Sequence, residues 1–366
     1  KDPEKLKLAV DLSRITFPFL FFVCLASFFG AILNSYNKFA AAAGAPIILN
    51  IILISSLFFS QWINVSDVLM LSYAVSIAGF LQFIILLFFV KKNFKPILSI
   101  KIKIDKKVKF FFRKLLPSIF SSGVTQINIL VGTIIASFQA SAVSYLYYAD
   151  RVYQINLAVA GIAVGTVMLP QLSKYVKNNN FHEITNLQNR ALELCLFLSI
   201  PASVALVLAS NQIVTSLFGY GSFNEISVVN TAKALTFFAF GVPAFSILKI
   251  FSNFFFARND TKTPFHLSLF SVILNIVISI SLFDKFGFII IPIATSFSSW
   301  INVFVHFYLI KKRNLHTFDN KFIYKFPRMI LSVVVMGIIL YLMLGIFADK
   351  FDYNESWKFI YLFIIV

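Results

Sequence analysis

Long apolar runs, separated by short polar stretches, follow one another along almost the whole chain. A helix needs about 20 predominantly apolar residues to cross the hydrocarbon core of a bilayer. Eleven runs are interpreted as such helices, and the last one stops with the sequence. They are residues 15–35, 44–60, 68–90, 115–138, 141–172, 190–209, 229–256, 265–283, 287–310, 328–348 and 356 to the end. The pattern predicts an all-α polytopic membrane protein.

Charge and composition agree with this prediction. Of 366 residues, 59% are hydrophobic and only 13% are charged, too few for the surface of a soluble protein of this size. The net charge of +17 would ordinarily indicate nucleic acid, but 22 of the 32 Lys and Arg residues lie in alternate loops. By the positive-inside rule those loops are cytoplasmic and residue 1 lies outside. We therefore expect membrane lipids as partners, and no nucleic acid.

The loop 91–114 is the longest polar interruption and carries ten basic residues against one acid. It is interpreted either as a loop lying along anionic headgroups or as a specific binding patch. It also marks the best boundary between two lobes. The predicted organisation is a remainder of an N-terminal lobe over 1–114, a C-terminal lobe over 115–310, and a basic loop with a terminal helix pair over 311–366.

The helix 141–172 carries Asp150 and Arg151 side by side in its apolar stretch. At helical spacing, Tyr147, Arg151 and Gln154 share one face, which continues into small residues such as Gly161 and Gly165. A charge at this depth costs a few kcal/mol and is usually retained for a partner or a substrate. One interpretation is an anion site in a water-filled cavity. The alternative is that both charges pair with other helices and hold the bundle.

A second cation, Lys249, follows an interruption by Gly241 and Pro243 in the helix 229–256. A kink there would place Lys249 in the inner half of a cavity. Equally, the side chain could snorkel to the cytoplasmic headgroups.

Two short basic links on the cytoplasmic side each lead into a helix that opens near a proline. The first contains Asn34 and Lys38 before Pro46, and the second runs from Arg258 through Asp260 and Lys262 to Pro264. Thr263 is predicted to cap the second helix, with Pro264 as its first residue. We expect the charged residues of these links to form a cytoplasmic gate or turn.

Several classes of chemistry are excluded by what the sequence lacks. There is no cluster of Asp residues of the kind that holds Mg²⁺, no phosphate-binding glycine loop and no HExxH motif. Cys24 and Cys195 lie in apolar helices without a pairing pattern. We therefore expect no cofactor, no catalytic residues and no enzymatic activity, but cation and hydrogen-bond chemistry in a cavity.

The run Tyr147-Tyr148-Ala149-Asp150-Arg151, followed by Gly161, Gly165 and Leu169-Pro170, resembles the eighth helix of the lipid II flippases of peptidoglycan synthesis. This is the MurJ (MviN-like) family of the MOP exporter superfamily. Thr16-Phe17-Pro18, Gly30 to Asn34, Ala45-Pro46 and Arg258 to Pro264 resemble its other signature stretches, in order along the chain.

The resemblance implies a MOP/MATE-like two-lobe bundle of fourteen helices around a cationic cavity, of which the first three would be absent here. It implies a bacterial inner-membrane protein that flips lipid II from the cytoplasmic to the periplasmic leaflet by alternating access. Arg151 would bind the diphosphate, Asp150 would pair with or tune a nearby cation, and the last two helices would form a groove for the lipid tail. Cell-wall synthesis proteins are further candidate partners.

Two departures from the family pattern concern the coupling. Gln154 stands where many members have Glu. The helices that carry acidic sodium ligands in some members contain no Asp or Glu here, which leaves Asn275 and Thr295 as a weak cation site. Coupling to the membrane potential or to protons is expected instead. Export of another lipid-linked oligosaccharide or of drugs, and a scaffold that transports nothing, are the alternative functions.

Overall fold

The computed structural model describes residues 3–36, 38–63, 65–93, 105–353, 355 and 357–365, and these are almost entirely helical. They divide into two compact units, Lys1–Asp105 and Lys106–Val366. Residues 94–104 of the basic loop 91–114 lie outside the described residues, so the interpretation of that loop as headgroup-binding stays a prediction. The predicted lobe boundaries also stay predictions.

The first unit is a set of three helices in which α3 packs against both others. They are α1 (Pro3–Ser35), α2 (Phe39–Ile63) and α3 (Asp67–Asn93). Small residues allow close packing: a Cβ on Gly79 of α3 would lie only 2.7 Å from the Phe19 ring of α1. The buried core of this unit includes Ala26, Leu33 and Leu86.

The described residues of the second unit form ten further α-helices. They are α4 (Lys106–Ala136), α5 (Ala142–Leu157), α6 (Val164–Lys177), α7 (Phe181–Leu208), α8 (Ser210–Phe218), α9 (Glu225–Phe256), α10 (Lys262–Phe286), α11 (Ile290–Lys312), α12 (Asn320–Ile346) and α13 (Lys358–Ile365). A π-helical segment, Ala158–Ala163, joins α5 to α6. Helix α9 lies at the centre, because α5, α7, α8 and α11 all pack against it.

Gly241 and Pro243 lie inside α9, which runs continuously through them as a helix. A neighbouring helix bonds the backbone carbonyl that Pro243 leaves without a partner. Pro243 has no N–H to donate to the carbonyl of Ala239, one turn earlier. The Ser203 hydroxyl of α7 donates to that oxygen instead, at 2.6 Å. In a membrane, side-chain hydroxyls commonly satisfy backbone groups that a proline has freed.

Three helices of this unit have an asparagine or aspartate side chain as their N-terminal cap. The side chains of Asn180, Asn224 and Asp319 accept hydrogen bonds from backbone N–H groups in the first turns of α7, α9 and α12. Such caps satisfy donors that would otherwise lack a partner. They fix where each apolar helix begins.

Among the described residues, eight helical stretches are long and apolar enough to cross a membrane. One of them, residues 262–312, contains both α10 and α11, so the eight stretches cover nine of the predicted spans. The remaining two fall on α4 and α13. The chain is therefore a multi-pass all-α membrane protein, as predicted, and the total of eleven spans stays a prediction.

Several predicted helix ends are wrong. Helix α2 begins at Phe39, so Pro46 lies inside it, because the alanine run 40–43 extends the helix upstream. Helix α10 begins at Lys262, which makes Pro264 its third residue and not its first. The stretch between the predicted spans 190–209 and 229–256 contains a further helix, α8. The first predicted span begins at residue 15, whereas α1 begins at Pro3.

Candidate functional site

Arg151 lies on the exposed side of α5 and contacts Tyr147 one turn earlier. The guanidinium carbon lies 4.7 Å from the centre of the Tyr147 ring, and Nη2 donates to the Tyr147 hydroxyl at 3.2 Å. Both side chains are exposed. Within the part of the chain that the structure describes, no carboxylate forms an ion pair with Arg151. Its other hydrogen-bond donors are therefore available for an anion.

Asp150 points to a different set of partners on the same helix. Its carboxylate accepts hydrogen bonds from the Gln154 amide and from the Tyr153 hydroxyl. Tyr153 in turn packs against Phe238 and Phe245 of α9. Asp150 is thus held by neighbouring polar groups and forms no ion pair with Arg151, although it lies next to it in the chain.

The π-helical segment changes the face that the sequence predicts downstream of Arg151. A π turn contains an extra residue, which shifts the register of every later side chain. Gly161 and Gly165 are accordingly buried against α9, whereas Arg151 is exposed. A Cβ on Gly161 would lie 3.0 Å from the Cα of Ser246. The expectation of one continuous face from Tyr147 to Gly165 is therefore wrong.

An amide from α9 fixes this close approach. Asn253 is buried, and its Nδ2 donates to the carbonyl of Gly165 at 2.7 Å. Glycine permits the contact, because a Cβ at position 165 would lie 3.1 Å from that nitrogen. The pair joins α6 to α9 below the π-helical segment.

Lys249 lies on α9 beside the π-helical segment. A Cβ on Gly161 would lie 3.4 Å from the Cγ of Lys249, so the stem of the lysine crosses this glycine. Gly161 follows Arg151 by ten residues, or about 15 Å of helix at about 1.5 Å per residue. Lys249 is exposed. The structure therefore sets two exposed cations at different depths along the α5–α6 and α9 pair.

The charged turn between α9 and α10 is bonded to the loop that follows α11. Asp260 accepts from the backbone N–H and the hydroxyl of Thr263, at 3.0 and 2.7 Å, and pairs with Arg313 at 2.8 Å. Desolvation opposes ionisation of Asp260, but these hydrogen bonds and the Arg313 charge outweigh it and lower its pKa. Asp260, and not Thr263, therefore supplies the cap of α10.

Arg258 takes part in the same connection. It donates to the carbonyl of Phe254 at 2.7 Å and to that of Leu315 at 3.1 Å, and its burial lowers its pKa. Lys262, by contrast, is exposed. Of the three gate residues predicted in this second link, Arg258 and Asp260 thus tie α9 and the turn after it to the loop after α11, and Lys262 remains available to solvent or headgroups.

Helix α7 holds the same loop from the other side. Gln188 and Asn189, both buried, donate to the carbonyls of Leu315 and Thr317 at 3.2 and 2.9 Å. The Nδ1 of His316 lies 3.1 Å from the Gln188 side-chain oxygen. Burial, with a smaller contribution from the Arg258 charge, lowers the pKa of His316 to about 4 against the opposing effect of Asp319.

Asn34 and Lys38 belong to the first unit. Asn34 is exposed near the end of α1. Lys38 is also exposed, and its backbone N–H donates to the carbonyl of Leu33 at 2.9 Å, which closes the end of that helix. Their proposed part in a gate stays a prediction.

Asn275 and Thr295 do come together, in a hydrogen-bonded cluster with a residue that the sequence did not single out. Nδ2 of Asn275 lies 2.8 Å from Oδ1 of Asn128 on α4 and 3.3 Å from Oγ1 of Thr295. Ser279 donates to Oδ1 of Asn275 at 3.3 Å. The cluster joins α4, α10 and α11 through neutral groups whose hydrogen bonds are mutually satisfied.

Sequence reasoning overlooked the amides that connect helices. Gln188, Asn189 and Asn253 each stand out as amides in apolar or amphipathic helices, a pattern that indicates interhelical hydrogen bonds. Their partners are backbone carbonyls more than 80 residues away. Since a carbonyl is present at every position, the sequence contains a signal for the donor and none for the acceptor.

Comparison with known proteins identifies the family. The model of the family described as lipid II flippase MurJ matches residues 1–362. A protein of Rickettsia prowazekii (strain Madrid E) named "probable lipid II flippase MurJ" is 38% identical over 315 residues, which cover 86% of this chain and 62% of that protein. A protein of the same name from Rhizobium meliloti (strain 1021) is 37% identical, over 93% of this chain and 64% of its own length. The chain spans slightly less than two thirds of these relatives.

Solved structures show the same relationship at the level of the fold. The inward closed conformation of lipid II flippase MurJ superimposes with a TM-score of 0.80 at 28% identity, over 99% of this chain and 72% of that one. A multidrug resistance MATE family transporter of the MOP superfamily reaches 0.72 at 14% identity, over 85% and 72% of the two chains, and shares the fold alone. With a family model that matches nearly its whole length, this chain belongs to the lipid II flippase MurJ family.

Proposed function

We propose that the protein flips a lipid-linked peptidoglycan precursor, lipid II, from the cytoplasmic to the periplasmic leaflet of the bacterial inner membrane by alternating access. The protein is then a transporter and not an enzyme. The match of the family model to residues 1–362 supports this function. The names of the relatives support lipid II as the substrate.

The observation that carries the proposal is the setting of Arg151. Its guanidinium is exposed at the depth of an apolar helix, and its contact is an aromatic hydroxyl and ring, not a carboxylate. Such a group presents N–H donors that match the paired oxygens of a diphosphate. Lys249, exposed about 15 Å further along the helix pair, is included as a separate anion contact, because its stem crosses Gly161 and so lies off the face of Arg151. Arg151, Asp150, Gln154, Tyr147 and Lys249 are the proposed substrate-binding residues.

The driving force in this proposal is the membrane potential. With the cytoplasm negative, outward movement of each negative charge is favoured by about 2.3 kcal/mol per 100 mV. The cluster of Asn128, Asn275 and Thr295 supports this choice over sodium coupling, because its oxygens are neutral and already hydrogen-bonded. Hard cations prefer sites that include carboxylate oxygens.

Genetic complementation with the full-length gene tests the proposal. A bacterium depleted of its own lipid II flippase would receive the wild type, Arg151→Ala, Arg151→Lys or Lys321→Ala, with membrane expression checked for each. Lys321 is an exposed cation in the first turn of α12 and serves as the matched control. We expect rescue by the wild type and by Lys321→Ala, no rescue by Arg151→Ala, and partial rescue by Arg151→Lys, because lysine keeps the charge without the planar fork.

Each other outcome contradicts a specific part of the proposal. Rescue by Arg151→Ala would make Arg151 structural and move the substrate site elsewhere. Failure of the expressed wild type would favour export of another compound or a scaffold role. Equal loss in Lys321→Ala would indicate a general requirement for positive charge and not a site at Arg151.

A further inference from the structure

An open cleft of about 580 Å³ lies at the end of α5 that is predicted to face outward. The start of α5 forms one wall, and the segment from the end of α8 to the start of α9 forms the other. Hydroxyl-bearing side chains dominate its lining. They are Ser141, Ser144, Tyr145, Tyr148, Tyr220, Ser222 and Ser227. The cleft belongs entirely to the second unit.

The lining of this cleft carries no charged side chain among the described residues. The Ser227 hydroxyl donates to the Asn224 side-chain oxygen at 2.9 Å. The other six hydroxyls make no hydrogen bond to another described residue, so each keeps donor and acceptor capacity for a ligand. An ionic group would find no counter-charge here. A neutral ligand rich in hydroxyl and amide groups would find both donors and acceptors.

Aromatic packing makes one wall of the cleft rigid. The Tyr148 ring lies 4.8 Å from that of Phe218 and 5.1 Å from that of Phe223, measured between centroids. On the far side, the Nζ of Lys358 lies 4.1 Å from the centre of the Tyr220 ring. This lysine is buried and donates to the carbonyls of Gly219 and Tyr353, so it fixes the ring without adding charge to the cleft. The rings of Tyr148 and Tyr220 are thus held in place, which lowers the entropy that binding to their hydroxyls must overcome.

The cleft is continuous with the face that carries Arg151. Ser144, Tyr147 and Arg151 follow one another at helical spacing of three and four residues. Ser144 therefore lies about 10 Å from Arg151 along the helix axis. We propose that the cleft is a saccharide subsite, which binds the neutral sugar part of a lipid-linked saccharide on the outer side while Arg151 contacts its diphosphate. This inference rests on the proposed flippase function and names which part of the substrate the cleft recognises.

Binding measurements with two lipids test the subsite. The purified full-length protein, in lipid nanodiscs, would be titrated with lipid II, with and without its peptide, and with undecaprenyl diphosphate, which shares the diphosphate and the tail but lacks both the sugars and the peptide. Ser144→Ala and Tyr148→Phe each remove one hydroxyl while keeping the helix and the ring packing. We expect each variant to weaken lipid II binding by about 3- to 10-fold, and undecaprenyl diphosphate binding by less than about 2-fold.

Control variants separate this inference from the proposed function. Ser268→Ala and Tyr308→Phe remove exposed hydroxyls on α10 and α11, outside the cleft and away from the last two helices, and should change neither affinity. Arg151→Gln should weaken both lipids. If the cleft variants weaken both lipids equally, or leave lipid II binding unchanged, the saccharide subsite is wrong even where wild type rescues flippase depletion. If the wild type binds neither lipid, the flippase function fails and the subsite fails with it.

Discussion

Asp260 offers the sharpest test of how the charged turn between α9 and α10 works. Its carboxylate combines two separable roles, since it caps α10 through Thr263 and pairs with Arg313 at 2.8 Å. Asp260→Ala removes both interactions. Asp260→Asn keeps an oxygen for the cap but loses the negative charge.

The structure supplies the expected magnitudes. Loss of a side-chain cap costs about 1 kcal/mol. The ion pair is partly exposed, with 28% of the Asp260 side chain and 46% of the Arg313 side chain accessible, and contributes about 0.2–1 kcal/mol. Asp260→Ala should therefore lower stability by about 1.5 kcal/mol and Tm by about 3–6 °C. Asp260→Asn should lose only the ion-pair part, about 0.5 kcal/mol and about 1–2 °C.

Thermal unfolding of the purified protein in detergent measures the difference between the variants. Arg313→Gln should match Asp260→Asn, and the double variant should lose no more than either alone, because the two residues share one interaction. The reasoning is refuted if Asp260→Asn is as damaging as Asp260→Ala, since the cap would then contribute nothing. It is equally refuted if Asp260→Ala leaves Tm unchanged.

The pH dependence of this contribution has a definite sign. The folded-state pKa of Asp260 is lowered, so its stabilisation is fully present above the unfolded pKa of about 3.9 and is lost as pH falls through the folded value. The difference in Tm between wild type and Asp260→Ala should thus be constant at neutral pH and shrink only in acid.

Three further predictions concern other parts of the second unit. Gly165→Leu should destabilise the protein by about 1–3 kcal/mol in thermal unfolding, because a Cβ would lie 3.1 Å from the Asn253 amide. The control Thr166→Leu, at the exposed neighbouring position, should have little effect. Flipping measured in proteoliposomes should be equal in sodium and potassium buffers, and Asn128→Asp should introduce a sodium dependence by adding a carboxylate to the cluster with Asn275. The pKa of His316 is lowered to about 4, so the folded protein holds this side chain in its neutral form. The free energy of unfolding should therefore fall as pH drops from about 6.5 towards 4. His316→Gln should flatten the dependence of Tm on pH in that range.

The sequence was sufficient for the helices and for the family, because both depend on signals that lie close together in the chain. Apolar runs identify α1 to α3 and α9 without knowledge of their neighbours. The exposed cations Arg151 and Lys249 also stand out, since a charge in an apolar helix is rare. Helix ends were less accurate, as α2 and α10 show, because propensity and capping by residues such as Asp260 compete within a few positions.

What the sequence could not supply was register and long-range pairing. The π-helical segment leaves no clear signature in Ala158–Ala163, yet it separates the face of Arg151 from that of Gly161. The bond from Ser203 to the carbonyl of Ala239 joins helices that no local pattern connects. Both features depend on how neighbouring helices pack against α9, and so they emerge only in three dimensions.

Burial divides the polar residues of the second unit into two groups with different roles. Asn253, Asn275 and Gln188 are buried, and each donates a hydrogen bond to another helix or to a loop. These hydrogen bonds offset the free-energy cost of removing the amide groups from water. Arg151 and Lys249 are exposed, and within the described chain neither is offset by a carboxylate. Because an isolated cation in an apolar helix costs a few kcal/mol, water or an anionic substrate must supply the compensation. Neutral variants of Arg151 and Lys249 should therefore fold at least as well as the wild type while losing transport, whereas variants of the buried amides should lose stability first.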